Sequence, residues 1–143
     1  MSNLDDHLAH IPHAAAIGMT LVSRGDYRCV VRVPYAEHLV GDPDTGVIHG
    51  GVITALLDNA SGVAVRSDTT AAADERSMAT LDLRIDYMRP AQPREDLYAE
   101  AHCYRTTSNV AFVRAIAYQA DRDVPIASSV ATFMLGTPTA PRP

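Results

Sequence analysis

Residues 46–62 read GVIHGGVITALLDNASG, and the fold depends on how this stretch is read. Gly50 and Gly51 follow His49 and lead straight into an apolar helical pattern, which brings unencumbered backbone amides to a helix N-terminus. On a helical wheel Val52, Ile53, Leu56, Leu57, Ala60, Val63 and Ala64 share one broad sector, the face that an amphipathic helix buries. Asp58 falls outside it. Its companions there are Gly51, Ala55 and Gly62, small enough to let a ligand or a second helix approach the carboxylate. An aspartate on such a face is either a solvated acid or part of a site.

The chain around this helix has 143 residues, which fits one domain over 1–143, and a 47% share of hydrophobic residues is ample for a packed core. The formal charge is −5 and the chain contains no lysine, so a nucleic-acid partner is not expected. No apolar run is long enough to span a bilayer, and the opening MSNLDDHLAH lacks the features of a signal peptide. A cytoplasmic protein without a membrane partner is expected. Cys29 and Cys103 stand singly in strand-like stretches and read as buried, reduced thiols. His7, His10 and His13 have helical spacing, but Pro12 interrupts it and no further ligand follows, so no metal is expected.

Upstream of the helix, residues 14–18 end a short helical segment, and residues 19–22 and 27–33 read as strands around a turn at 24–26. Residues 35–48 form a polar loop that delivers the chain to the helix. Downstream, a polar connection over 67–76 precedes four strands at 79–87, 97–104, 110–118 and 124–135, read as an antiparallel meander. In the first of these, Ala79, Leu81, Leu83, Ile85 and Tyr87 alternate with Thr80, Asp82, Arg84 and Asp86, which places Thr80 on the polar face. Residues 137–143 read as a disordered tail. One helix and about six strands, with no crossover helices, exclude a doubly wound parallel sheet. The expected class is α+β, a hotdog fold in which a curved antiparallel sheet of five or six strands wraps one long helix.

The motif of residues 46–51, the acid Asp58 nine positions after His49, and residues 85–90, IDYMRP, together resemble the hotdog-fold acyl-CoA thioesterases of the phenylacetate-pathway type. The similarity runs from about residue 11 to 135, with IPHAAAIGMTL, including His13 and Leu21, at its start. It implies hydrolysis of an acyl-CoA thioester with no cofactor, by a homodimer assembled as a dimer of dimers. Thioester hydrolysis builds charge on the carbonyl oxygen, and the resemblance assigns the stabilising amide to Gly50. It makes Asp58 the general base or the nucleophile, with the base preferred. His49 matches a histidine that contacts the thioester region, and Thr80 matches a position where some members place a serine that holds the attacking water. Gly51 and Asn59 are expected to bind substrate.

The family's loop asparagine six residues before the histidine is replaced here by Pro43, flanked by Asp42 and Asp44. Coenzyme A carries phosphates, for which Arg84, Arg89, Arg94, Arg105 and Arg114 are candidates by position. The alternative function is a non-catalytic module that binds or senses acyl-CoA. Helix geometry adds a constraint: Gly50 and Asp58 lie eight residues apart, about 12 Å along the axis, so one thioester reaches both only if they come from different chains.

Overall fold

The computed structural model describes residues 7–67 and 77–136. Two short helices come first, α1 (His7–His10) and α2 (Pro12–Ile17). They part at Ile11 because Pro12 takes the first turn of α2, where its missing N–H costs nothing. Gly18 closes α2 in the left-handed conformation, and its amide donates to the Ala14 and Ala15 carbonyls.

β1 (Thr20–Gly25) and β2 (Arg28–Val33) form a hairpin. The sequence places its turn at residues 24–26, whereas the structure turns at Asp26 and Tyr27, with φ of 54° and 60°. Two consecutive positive φ values give the turn a twist that matches the strands. Tyr27 is held in this conformation from both sides: its N–H donates to the Ser67 carbonyl at 2.8 Å and its carbonyl accepts from Cys103 N–H at 2.9 Å.

The segment read as a polar loop contains a 3-10 turn at Glu37–Leu39 and a small hairpin of β3 (Val40–Asp42) and β4 (Val47–Ile48). It delivers the chain to α3 (Gly50–Val65). All seven residues of the expected apolar sector are buried, with Leu56 and Leu57 fully so. Each of these leucines contributes about 1.5–3 kcal/mol by leaving water. At the far end, Ser67 Oγ donates to the Val63 carbonyl at 2.6 Å and helps to end the helix.

β5 (Met78–Tyr87), β6 (Leu97–Thr106), β7 (Val110–Tyr118) and β8 (Ala127–Leu135) complete a six-stranded antiparallel sheet in the order β1-β2-β6-β7-β8-β5. The expected four-strand meander is therefore corrected. Only β6, β7 and β8 follow one another; β5 pairs with β8 at the sheet edge. The linker at residues 88–96 contains Pro90 and Pro93, and its reach of up to about 30 Å easily covers the roughly 14 Å between β5 and β6. The last strand starts at Ala127 because residues 121–124 form a turn, in which Val124 N–H donates to the Asp121 carbonyl.

The inner face of the sheet is rich in alanine, with Ala99, Ala101, Ala111, Ala115, Ala117 and Ala131 buried. Small residues on the strands leave room for the leucines and valines of α3, which packs against β2, β6 and β7. A curved antiparallel sheet around one long helix is the hotdog arrangement. Residues 68–76 of the expected polar connection and the tail at 137–143, read as disordered, lie outside the described residues.

Candidate active site

The site begins with an irregularity in β5. Met78 pairs with Leu135 and Thr80 with Phe133, then the register shifts at Leu81, and Leu83 and Ile85 pair with Ala131 and Ser129. Directly opposed residues share a face, and Leu135, Phe133, Ala131 and Ser129 are all buried. Thr80 therefore faces the helix together with Leu83 and Ile85, while Leu81, the extra residue, is 53% exposed. This corrects the simple alternation, which puts Thr80 on the outer polar face. The re-aimed hydroxyl donates to Asp58 Oδ1 at 3.0 Å. Asp58 is half-buried on the α3 face that looks toward β5. It lines a cleft of about 280 Å³ with Asn59, Gly62, Met78, Thr80 and Phe133. Asn59 also donates from Nδ2 to the Ala55 carbonyl at 2.8 Å, so its amide is oriented by the helix itself.

The start of α3 is organised by His49, whose Nδ1 accepts from Gly51 N–H at 2.8 Å. That role is usually taken by a short polar side chain. Because Nδ1 is the acceptor, the neutral ring carries its proton on Nε2. The His49 backbone is in turn fixed by donation to the Leu39 carbonyl at 2.9 Å. Gly50 N–H has no acceptor among the described residues. The Gly50 carbonyl, by contrast, accepts from Tyr87 Oη at 3.0 Å and from Thr54 Oγ1 at 3.3 Å, and the two hydroxyls lie 2.5 Å apart. This cluster pins the first turn of the helix and leaves the amide end available.

The expected site residues thus fall into two groups. Asp58, Asn59 and Thr80 share one cleft. His49 and Gly51 line another, of about 380 Å³, with His13, His38 and Val52. Gly51 is exposed, with the His49 ring against it, so that a Cβ there would meet Nδ1 at 2.8 Å. Within one chain the amide of Gly50 and the carboxylate of Asp58 remain about 12 Å apart along α3.

His7, His10 and His13 do not converge, since His7 lines the Asp58 cleft and His13 the His49 cleft. Burial, together with nearby Arg66 and His10, holds His7 below the usual imidazole range. The presence of His7 and of Met78 beside Asp58 was not legible in the sequence, because nothing local links them. Burial pushes the Cys29 thiol up to about 12, and its Sγ donates to the Ala60 carbonyl at 3.1 Å, which fits an inert core thiol.

Among the proposed phosphate ligands, Arg114 lies 4.3 Å from the centre of the Tyr104 ring, Arg89 donates to the Val124 carbonyl, and Arg84 pairs with Asp86. None of them lines the Asp58 cleft, where the arginine is Arg66. In the delivery loop, Asp42 Oδ1 accepts from Asp44 N–H at 3.0 Å, so Asp42 stabilises the turn around Pro43. Among the described residues no helix is long and apolar enough to cross a membrane.

Residues 45–126 match the family model described as the thioesterase superfamily. The medium/long-chain acyl-CoA thioesterase YigI of Escherichia coli is 31% identical over 137 residues, covering 89% of this chain and 87% of that one. A Pseudomonas aeruginosa protein of solved structure is 40% identical with a TM-score of 0.78, covering 92% of this chain and 96% of its own. The Escherichia coli PaaI protein from the phenylacetic acid degradation operon, 17% identical with a TM-score of 0.76 over 89% of this chain and 86% of its own, shares the fold. The matched segment carries His49, Gly50, Asp58 and Thr80, and with YigI aligned along most of both sequences, this chain belongs to the thioesterase superfamily.

Proposed function

We propose that the protein hydrolyses acyl-CoA thioesters to a free acid and coenzyme A, at sites shared between two chains. The observation that carries this reading is the half-buried Asp58 carboxylate, oriented by Thr80 at 3.0 Å in a cleft that mixes apolar side chains such as Leu8, Met78 and Phe133 with polar ones such as His7 and Arg66. Thr80 occupies Oδ1, and the second carboxylate oxygen takes a proton from water. The hydroxide attacks the thioester carbonyl carbon, and the resulting oxyanion is held by the Gly50 amide and the positive end of α3. The C–S bond then breaks, the thiolate leaves and is protonated, and the acid departs. Direct attack by Asp58 would instead give an anhydride that water opens; we favour the base. His49 sets the geometry of this helix start by capping Gly51, and Gly51 and Asn59 flank the substrate path.

The edge position of β5 supports a shared site. Among the described residues its outer backbone groups have no neighbouring strand, and Leu81, Tyr87 and Met88 are all more than half exposed. A second chain packed two-fold against this edge, with the α3 helices antiparallel, brings Gly50 of each protomer to Asp58 of the other. The acyl-CoA activity named for YigI agrees with this chemistry. A panel of aliphatic and aromatic acyl-CoA thioesters, followed by release of free thiol, tests the proposal. Release that depends on Asp58 supports it; binding without release would make the protein an acyl-CoA-binding module.

A further inference from the structure

The outer face of the sheet, turned away from α3, carries a row of basic side chains that the Asp58 cleft does not use. Arg28 on β2 is directly opposed to His102 on β6, and His102 to Arg114 on β7. Their strand neighbours Cys29, Ala101, Cys103, Val113 and Ala115 are buried, so all three point away from the helix. Adjacent strands lie about 4.8 Å apart, which gathers three basic groups within roughly 10 Å. An acid at the middle position would neutralise both arginines, and a chain of formal charge −5 is rich in acids, yet histidine stands there. Burial, with the charges of Arg28 and Arg114, holds His102 below the usual imidazole range, against the opposing pull of Asp26. Among the described residues neither Arg28 nor His102 is ion-paired with a carboxylate.

An aromatic surface adjoins this row. β6 bulges at Tyr104, after which Arg105 opposes the outward-facing Phe112. Regular alternation would turn Arg105 inward, and the extra residue brings it to the outer face instead. Tyr104 is 42% exposed, with its ring centre 4.3 Å from the Arg114 guanidinium and 6.4 Å from the Phe112 ring. Phe112 precedes Arg114 by two residues, about 7 Å along β7. On the other side of the row runs a shallow groove of about 340 Å³, lined by the three basic residues together with Ile116, Ser128 and the Arg122–Glu100 pair. Glu100 is thus neutralised by Arg122 at 2.6 Å and leaves the row to other anions.

We propose that this outer face is a binding site for a nucleoside polyphosphate, with the phosphates on Arg28, His102 and Arg114 and the base on the Tyr104 and Phe112 rings. Guanidinium groups bind phosphate oxygens through paired, charge-assisted hydrogen bonds, and aromatic faces stack on bases. The roughly 7 Å between the two sets leaves space for the ribose, and Ser128 adds a hydroxyl to the phosphate groove. The sheet itself separates this site from Asp58, which lies on its inner side.

Calorimetry on the full chain with ATP and with inorganic tripolyphosphate tests the proposal. ATP should bind in the submillimolar range, at least about tenfold more tightly than tripolyphosphate, and more weakly as salt rises. Arg28→Ala and Arg114→Ala should each weaken both ligands about tenfold or more, and Arg28→Ala, which removes a like charge, should melt no lower than the wild type. Tyr104→Leu keeps apolar bulk without the aromatic face, so it should weaken ATP about tenfold and leave tripolyphosphate nearly unchanged. No binding at millimolar ATP, or binding that both arginine variants leave intact, would overturn the site. Equal affinity for ATP and tripolyphosphate would overturn its nucleotide character. A non-hydrolysable acyl-CoA thioether separates a free nucleotide from the nucleotide portion of coenzyme A. With the thioether saturating, ATP affinity should change by less than about twofold; mutual exclusion would assign the row to coenzyme A and overturn a separate site.

Discussion

Asp58 and Thr80 make the contact on which the proposed chemistry depends, and Asp58→Asn is the direct probe of it. The change is nearly isosteric and the residue lies off the buried face of α3, so the fold should persist. Turnover should fall at least about a hundredfold, the usual contribution of a general base, as read by thiol release from a protein whose circular dichroism is unaltered. Unchanged turnover would return Asp58 to the status of a solvated acid. Gly41 offers a second probe at this scale. A Cβ there would meet His49 Cα at 2.8 Å and His49 N at 3.2 Å, backbone atoms that have little freedom because His49 N–H is bonded to Leu39. Gly41→Ala should therefore displace the His49 cap, destabilise the protein by about 1–3 kcal/mol in urea denaturation, and lower activity further than the loss of folded protein explains. Wild-type stability in that variant would show that the β3–β4 hairpin yields easily.

At the level of elements, the contrast between α3 and β5 shows what a sequence makes legible. The helix announced itself because seven apolar residues repeat with a 3.6-residue period, and the structure buries all seven. The strands at 79–87, 97–104 and 110–118 were equally clear from turn residues and alternation. The pairing of β5 with β8 was not, since alternation specifies faces and not neighbours, and the linker is long enough for either partner. The bulge at Leu81 was hidden for a related reason: one extra residue reverses the facing of everything before it without altering composition. Regular alternation would aim Ala79 at α3, whereas the bulged strand aims Thr80 there. The two arrangements predict different mutants. Thr80→Val keeps the branched shape and loses a hydrogen bond to a carboxylate, so turnover should drop about tenfold; Ala79→Ser should leave it unchanged. Sensitivity at 79 and indifference at 80 would restore the unbulged register. The same logic explains why His7 and Met78 were missed as neighbours of Asp58: their meeting depends on how α1 and β5 converge on α3, which no local pattern encodes.

For the molecule as a whole, the separation of the two chemical groups becomes a test of assembly. Gly50 opens α3 and Asp58 sits two turns on, about 12 Å away, while a base must act within about 3 Å of its water. Neither Gly50 nor His49 lines the Asp58 cleft, so on the proposed mechanism one chain holds half of each site. Two inactive variants, Asp58→Asn and Gly50→Pro, can supply the missing halves to each other. Proline is suitable because Gly50 is the first helical residue, where a fixed φ and an absent N–H are tolerated. The preceding His49 has φ −58° and ψ 132°, an extended conformation of the kind favoured before proline. Proline therefore removes the candidate amide while the helix and its cap can remain. In a mixed dimer with two-fold symmetry, one site regains both an intact amide and an intact carboxylate, and the other loses both. Random pairing makes half of the dimers mixed, so about a quarter of the wild-type sites should return after subunit exchange. Thiol release on that scale, from parents that are each inactive and folded, is the expected result. Sites built within single chains would recover nothing, and verified mixed dimers with no more activity than the parents would rule out catalysis across the interface.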